Sequence, residues 1–169
     1  MPEKRTIERA RSDKRAGKSP STQAGEFVRE EMHHIREGKH GARSTKQAIA
    51  IGLSKARRSG VELGRAPASA TARTKQSAAN DSRAGRRRHK GAVSPKRSRA
   101  TLRALKREPR GAASTKSLAR QARSAAGKRS ASSRRASARR AVRTKGPRVR
   151  RAAARQAART RSRRRRRTA

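Results

Sequence analysis

The sequence predicts a small all-α helical hairpin, at about residues 19–64, followed by a long, mostly disordered polybasic tail with transient helices. The distribution of charge predicts the division. Residues 1–64 hold 15 basic and 8 acidic residues, a balance of +7, whereas residues 65–169 hold 37 basic and 2 acidic residues, a balance of +35. Apolar residues recur at helical spacing in the first part. Residues 1–18, which precede this pattern, are expected to be a flexible basic N-terminus.

The first predicted helix begins at Ser19 and Pro20, which suit the N-cap and the first helical position, although Thr22 could cap a slightly later start. Gly38 offers the left-handed conformation in which many helices end. One apolar stripe runs between these ends at helical spacing. Its members are Ala24, Phe27, Val28, Met32 and Ile35.

The second predicted helix follows a short polar linker with the sequence GKHGAR. Ser44 and Gln47 match a capping box, in which each side chain accepts a hydrogen bond from the other residue's backbone amide. Gly60 closes this helix after two arginines that the helix dipole favours. Its apolar face is formed by Ala48, Ile49, Gly52, Leu53 and Ala56.

The apolar faces of the two helices are expected to pack on each other. About nine large apolar residues would each contribute roughly 1.5–3 kcal/mol if fully buried, whereas ordering the hairpin costs about 1.5 kcal/mol per residue. A hairpin of this kind is marginal alone. We therefore expect it to form a homodimer or to gain order when bound. The residues assigned to helix pairing or self-association are Phe27, Val28, Met32, Ile35, Ile49 and Leu53.

Residues 24–61 carry a resemblance, which is most specific in QAIAIGLSKAR at residues 47–57. The stretch resembles a small uncharacterised bacterial family, a domain of unknown function, that pairs an acidic-basic helix with a QAIAIALSxAR-like helix. Gly52 stands where alanine is more usual, which weakens a helix by roughly 1 kcal/mol unless close packing requires the small residue. The resemblance implies a bacterial origin and a small helical module. It brings no catalytic residues.

The tail uses few residue types from residue 67 onward, chiefly Ala, Arg, Lys, Ser, Thr, Gly and Gln. Such a chain buries too little apolar surface to offset its ordering entropy, which predicts disorder. Glycine and proline divide it into segments at 96–108, 112–126 and 148–162 whose residues favour helix. Neighbouring like charges oppose these helices in free solution. We therefore expect a change from coil to helix on binding.

The arginines of the tail favour phosphate, since a guanidinium group matches phosphate oxygens in pairs. Arg163 to Arg167 form an unbroken run with no use inside a folded core. In composition the tail is similar to linker-histone and protamine tails, and residues 94–97 resemble the SPKR turns of histone tails. The predicted phosphate-binding residues are Arg86, Arg87, Arg88, Lys96, Arg97, Arg134, Arg135, Arg139, Arg140, Arg148, Arg150, Arg151, Arg163, Arg164, Arg165, Arg166 and Arg167.

These features predict sequence-nonspecific DNA binding and compaction by a histone-like, nucleoid-associated protein of the bacterial cytoplasm. DNA is favoured over RNA as the partner. Two alternatives stay open: an RNA-binding or ribosome-associated RNA chaperone, and a polycation that binds other acidic polymers. Membrane binding is not expected, because the chain lacks a long apolar run and the amphipathic faces of membrane helices. A small-molecule substrate is not expected either.

An enzyme is not expected, and neither is a cofactor. The chain has no cysteine, and it contains no phosphate-binding loop, nucleophile elbow or zinc-protease motif. His33, His34 and His40 lie near acidic residues, and Glu30 with His34 has the i,i+4 spacing of co-ligands. We interpret these residues as solvated helix faces and predict no metal site and no catalytic residue.

Overall fold

The structure is a computed structural model that describes residues 2–87 and 94–166. These residues form seven α-helices and one 3-10 helix, and they contain no strand. They divide into two compact units, residues 1–121 and residues 122–169. The helices are α1 (Lys4–Arg15), α2 (Pro20–Arg36), α3 (Thr45–Arg58), α4 (Ala72–Arg86), α5 (Pro95–Arg107), η1 (Arg110–Ala113), α6 (Thr115–Gly127) and α7 (Ala131–Arg166).

Both helices of the predicted hairpin are present, as α2 and α3. Pro20 is the first residue of α2, and Gly38 follows its end with a φ of 78°. Ser44 Oγ accepts a hydrogen bond from the Gln47 amide at 3.2 Å, as a capping box requires. The reciprocal bond differs, because Gln47 Oε1 accepts from the amide of Arg43, one residue before the cap.

Two apolar clusters fill the space between α2 and its neighbours. In the first, Met32 and Ile35 pack with Ala48, and Val28 and Ile49 lie at its margin. In the second, Phe27 packs with Ala24, Ala56 and Val61, and Leu53 lies at its margin. The six side chains assigned to helix pairing therefore all lie in or beside these clusters.

The N-terminus is helical, which differs from the flexible segment expected for residues 1–18. Residues 4–15 form α1, which packs against α2 through the buried Thr6 and Ala10. Arg9 Nε lies 2.8 Å from Glu26 Oε2, which ties the two helices together electrostatically. Ile7, the one large apolar residue of α1, lies at the margin of the Phe27 cluster. A single large apolar residue among small ones does not produce the apolar periodicity from which a sequence predicts a packed helix.

The prediction of a long, mostly disordered tail is wrong. Four α-helices and the 3-10 helix occupy most of the described residues after 64. Each α-helix follows a serine or threonine whose side-chain oxygen accepts the amide three residues later, and these caps are Thr71, Ser94, Ser114 and Ser130. A cap contributes about 1 kcal/mol, whereas like charges on adjacent turns oppose a helix by only about 0.2–0.5 kcal/mol per pair. Caps and the good helix propensity of alanine and arginine therefore favour these helices without a large apolar core.

The 3-10 helix η1 explains how part of the tail joins the core. Ala112 and Ala113 are buried in the cluster around Met32 and Ile35. Thr45 Oγ1 donates a hydrogen bond to the carbonyl of Ala112 at 2.7 Å. The apolar face that favoured self-association is thus covered within the chain. A homodimer stays a prediction, but an uncovered apolar face on the hairpin no longer supports it.

The linker between α2 and α3 is held by the segment that precedes η1. The amide of Gly41 donates to the carbonyl of Leu105 at 2.8 Å, and the amide of Ala42 donates to the carbonyl of Pro109 at 3.1 Å. A Cβ atom on Gly41 would clash with the backbone carbonyl of Glu108. Glycine is therefore required here for the close approach of two backbones.

The second unit contains α7, a 36-residue helix with a kink. Gly146 has a φ of 60° and a ψ of 167°, and Pro147 lacks an amide hydrogen, so the helical hydrogen bonds are interrupted there. The kink divides α7 into helical segments at 131–145 and 147–166. Across the part of the chain that the structure describes, we find no helix with the length and apolarity that crossing a bilayer requires.

Substitution of Gly52 by alanine is expected to destabilise the protein. A Cβ atom there would lie 2.7 Å from Val28 Cα, so α2 and α3 would have to separate. We expect a loss of about 1–3 kcal/mol in the free energy of unfolding, although alanine is the better helix former by about 1 kcal/mol. Gly25→Ala in α2 is the matched control, because nothing lies within 4 Å of its added Cβ. Urea denaturation should show opposite signs for the two variants, and equal stabilisation by both would contradict the close packing.

Truncation after residue 65 is expected to destabilise the hairpin, because it removes Ala112 and Ala113 from the core. Each buried methyl-sized group contributes about 0.8 kcal/mol, and the side chains that η1 covers would be exposed as well. We expect a loss of at least about 2 kcal/mol. A chain of residues 1–130 keeps all the buried residues of the described structure and should match the full chain. Thermal unfolding followed by circular dichroism measures both, and equal midpoints for the short chain and the full chain would refute the role of η1.

Candidate nucleic-acid interface

The second unit is entirely cationic in its ionisable side chains. Residues 122–169 contain 20 basic residues and no Asp or Glu. No carboxylate side chain within this unit is therefore available to neutralise its guanidinium groups. Such a concentration of one sign of charge raises the local positive potential and attracts polyanions.

Helix formation arranges many of these cations in rows along α7. In its second segment, Arg151, Arg155, Arg159 and Arg163 follow each other at intervals of four residues, and all four are exposed. A step of four residues rises about 6 Å along the axis and turns the side chain by only about 40°. Arg135, Arg139 and Arg143 have the same spacing in the first segment. Each segment therefore presents a row of guanidinium groups, here called the arginine rows.

The predicted phosphate-binding residues are only partly grouped by the structure. Those between 134 and 166 lie in α7, but adjacent arginines such as Arg150 and Arg151 diverge by about 100° around a helix. Arg88 and Arg167 lie outside the described residues. Arg143, Arg155 and Arg159 belong to the arginine rows and were not predicted. Their i,i+4 spacing is present in the sequence and would have identified them had a helix been assumed.

The remaining predicted cations lie at helix ends in the first unit. Arg86 is the last residue of α4, and Arg87 is its C-cap. Lys96 and Arg97 are exposed in the first turn of α5. Ser94 Oγ accepts a hydrogen bond from the Arg97 amide at 3.5 Å, so residues 94–97, which resemble the SPKR turns, cap and begin a helix.

The acidic residues of the first unit are largely engaged with cations of the same unit. Asp81, on α4, is nearly buried and accepts from Arg58 Nε and Ser54 Oγ at 2.7 Å each. This contact anchors α4 to α3. The other paired acidic residues are Glu3, Asp13, Glu26, Glu30, Glu31 and Glu37.

Two adjacent glutamates of α2 are buried with one lysine of α3. Lys55 Nζ lies 2.7 Å from Glu31 Oε2 and 3.3 Å from Glu30 Oε1. The Glu31 side chain is fully buried. The Glu30 carboxylate also accepts the backbone amide of Glu3 at 3.2 Å, which ties the start of α1 to α2. Two carboxylates in a buried place require this cation, because removing one partner of a buried pair leaves an uncompensated charge.

Two histidines extend this group of charges. His40 Nε2 lies 3.3 Å from Glu31 Oε1, and His34 Nε2 lies 2.8 Å from Glu3 Oε1. One ligand atom from each of Glu31, His34 and His40 lies within 4.8 Å of the others. His33 is exposed, whereas His34 and His40 keep only about a tenth of their side-chain surface accessible. The interpretation of the three histidines as solvated therefore holds for His33. It is wrong for His34 and His40, whose side chains are mostly buried.

The i,i+4 spacing of Glu30 and His34 in the sequence is that of two co-ligands on one helix. The structure instead brings Glu31 together with His34 and His40. The linker between α2 and α3 carries His40 back over the end of α2, a fold-back that no periodicity in the sequence reveals.

Ionic contacts shift the pKa values of two exposed side chains near this group, Glu3 and Lys39. The hydrogen bond from His34 lowers the pKa of the Glu3 carboxyl, and the nearby Lys39 adds to this effect. The hydrogen bond to Glu37 raises the pKa of the Lys39 ammonium. Both side chains are largely solvated, so these shifts describe local pairing and contribute little to stability.

Comparison with known proteins finds one similarity. Residues 11–66 match the model of a family of unknown function, DUF6496. The match spans the last part of α1, all of α2 and α3, and the turn beyond α3, and it includes residues 24–61, on which the predicted resemblance rests. No curated protein matches the chain. No solved structure matches it either, and the similarity of the tail to linker histones has no support.

Replacement of Lys55 by methionine is expected to destabilise the protein by about 3–5 kcal/mol, because Glu30 and Glu31 would lose their buried cation. The matched control is Lys46→Met, on the same helix but exposed, which should change the free energy of unfolding by less than about 0.5 kcal/mol. Urea denaturation at neutral pH measures both. Equal stability of the two variants would show that the ion pair is not required for folding.

Proposed function

We propose that the protein binds duplex nucleic acid without sequence preference, and that it compacts DNA as a histone-like, nucleoid-associated protein. The observation that carries this proposal is the pair of arginine rows on α7, in a unit without acidic side chains. Each bound phosphate releases condensed counterions, which favours association and makes it dependent on salt.

The spacing of the arginine rows suits a phosphate backbone. Side chains four residues apart on a helix lie about 6 Å apart along its axis, and each DNA strand carries one phosphate per about 3.4 Å of duplex axis. A long, flexible arginine side chain can span this difference in spacing. Each row can therefore contact several phosphates of one strand or of two facing strands without any individual base being read.

The composition of α7 supports binding without sequence preference. Apart from its cations, α7 contains Ala, Ser, Thr, Val, Gly, Pro and the single amide side chain of Gln156. Base recognition in the major groove generally uses a varied set of donors and acceptors held in place by a rigid support. Repeated arginine with alanine instead favours contact with phosphate oxygens, which carry no direct sequence information.

The aromatic content favours a duplex over single strands. Proteins that bind single-stranded DNA or RNA commonly stack bases on aromatic side chains. The chain has no Trp or Tyr, and its one Phe, Phe27, is 1% exposed in the core. We therefore rank duplex DNA above single-stranded RNA as the partner.

Substitution of Arg151, Arg155 and Arg159 by glutamine is expected to weaken binding to duplex DNA of mixed sequence. If each contacts one phosphate, the slope of log K against log salt concentration should become smaller in magnitude by about 3, since each contact contributes about 0.9. Fluorescence anisotropy over a range of salt concentrations measures this slope. Lysine at the same three positions keeps the charge and should retain most of the slope.

A second control tests whether position matters or only net charge. Arg5, Arg11 and Lys14 are exposed on α1, and their replacement by glutamine removes the same charge from the first unit. We expect a much smaller change in slope. An equal effect of both triple substitutions would refute α7 as the binding surface. Preferred binding of single-stranded RNA or polyphosphate over duplex DNA in competition would favour one of the alternative functions.

A further inference from the structure

We propose that Glu31, His34 and His40 form a binding site for one divalent transition-metal ion of the zinc type. The three residues belong to the first unit, and the proposal does not depend on the proposed function. Two imidazoles and one carboxylate are ligands that suit zinc. Their ligand atoms lie within 4.8 Å of one another.

The local structure of α2 places two of the ligands on one face. Glu31 and His34 are three residues apart, and side chains at this spacing lie next to each other on a helix. The same Glu-x-x-His spacing directs metal ligands inward in helical bundles. His40 comes from the linker beyond α2, which Gly38 turns back with its φ of 78°.

The hydrogen bonding of His40 favours a cation between it and Glu31. His40 Nδ1 lies 3.1 Å from the carbonyl oxygen of Gly41, which can only accept a hydrogen bond, so Nδ1 carries the proton. In a neutral imidazole Nε2 is then an acceptor, and it faces the carboxylate Oε1 of Glu31 at 3.3 Å. Two acceptors this close require a proton or a metal ion between them. Metal-binding histidines commonly donate the other nitrogen to a backbone carbonyl, as here.

The separation of these two atoms fits tetrahedral coordination. A zinc ion about 2.0–2.1 Å from each ligand sets neighbouring ligand atoms about 3.3 Å apart, and the gap between Nε2 and Oε1 is 3.3 Å. The ligand atom of His34 needs a shift of at most about 1.5 Å to complete the set. Both oxygens of Glu31 are buried without a conventional hydrogen bond from the described residues, although Oε2 pairs with Lys55. Oε1 is thus available to an ion.

The outer contact of His34 also suits a ligand histidine. The carboxylate of Glu3 lies 2.8 Å from His34 Nε2 and can only accept a hydrogen bond, so Nε2 donates to it and Nδ1 is the atom left for an ion. Glu3 is then the outer partner that orients the ring.

Metal binding at His40 would also hold the neighbouring linker in place. Gly41 and Ala42 donate their amides to the segment before η1, and η1 covers the Met32 and Ile35 cluster. A metal ion would therefore join the end of α2 to the linker that holds this segment of the tail. We expect it to stabilise the first unit against unfolding, because binding to the folded chain alone shifts the equilibrium.

The test uses the full chain, freed of nucleic acid and of metal with a chelator. Cobalt(II) titration should give one saturable site with the visible absorption bands of tetrahedral coordination, and excess zinc should abolish them. Zinc should also raise the midpoint of thermal unfolding. Because the chain carries +42, divalent ions are repelled elsewhere on its surface. Absence of a saturable tetrahedral spectrum in the unmodified chain would overturn the proposal, whatever the variants do.

Variants then assign the ligands. His40→Gln should abolish the cobalt spectrum and the rise in unfolding midpoint. His33→Gln, on the same turn as His34 but exposed, is the matched control and should bind as the unmodified chain does. Glu3→Gln should weaken affinity by about 10–100-fold through the loss of the outer partner. Unchanged metal affinity in His40→Gln, or its loss in His33→Gln, would overturn the assignment.

Discussion

The first unit depends on close contact between helices that have few large side chains to bury. Most of its buried apolar residues are alanines, and Gly52 lets the backbone of α3 approach Val28. Dispersion forces decline steeply with distance, so small residues stabilise a core only when the backbones lie near each other. This requirement explains why the buried residues of α1 and η1 are alanine and threonine, and why a glycine stands at position 41, where two backbones meet.

Charge is divided between the two units in complementary ways. In the first, acidic residues are placed among cations, and Glu31 is buried with Lys55 and His40. In the second, cations repeat along α7 with no acidic side chain. Residues 1–121 hold 32 basic and 10 acidic residues, so the first unit keeps an excess of cations although most of its acidic side chains are paired. The second unit has no acidic side chain with which to pair its cations.

The sequence predicted α2 and α3, because periodic large apolar residues and the Ser44 cap are local signals, whereas the Ser19 side chain makes no capping hydrogen bond to α2. Its helix-favouring segments at 96–108, 112–126 and 148–162 overlap α5, α6 and the second segment of α7, but it indicated neither α4 nor the helical segment at 131–145. It failed on α1 and η1, whose small buried residues give no periodic signal, and on the extent of order in the tail. The group of Glu31, His34 and His40 could not be predicted, because the return of the linker over α2 is a tertiary feature.

The insertion of η1 has a consequence for the order in which the chain folds during synthesis. Ala112 and Ala113 follow the end of α3 by more than 50 residues, and at 5–20 residues per second this interval lasts roughly 3–10 s. During that time α2 and α3 have emerged while the apolar surface around Met32 and Ile35 is still uncovered. The nascent protein therefore passes through a period in which chaperones, or a second nascent chain, can occupy the place that its own later residues will take.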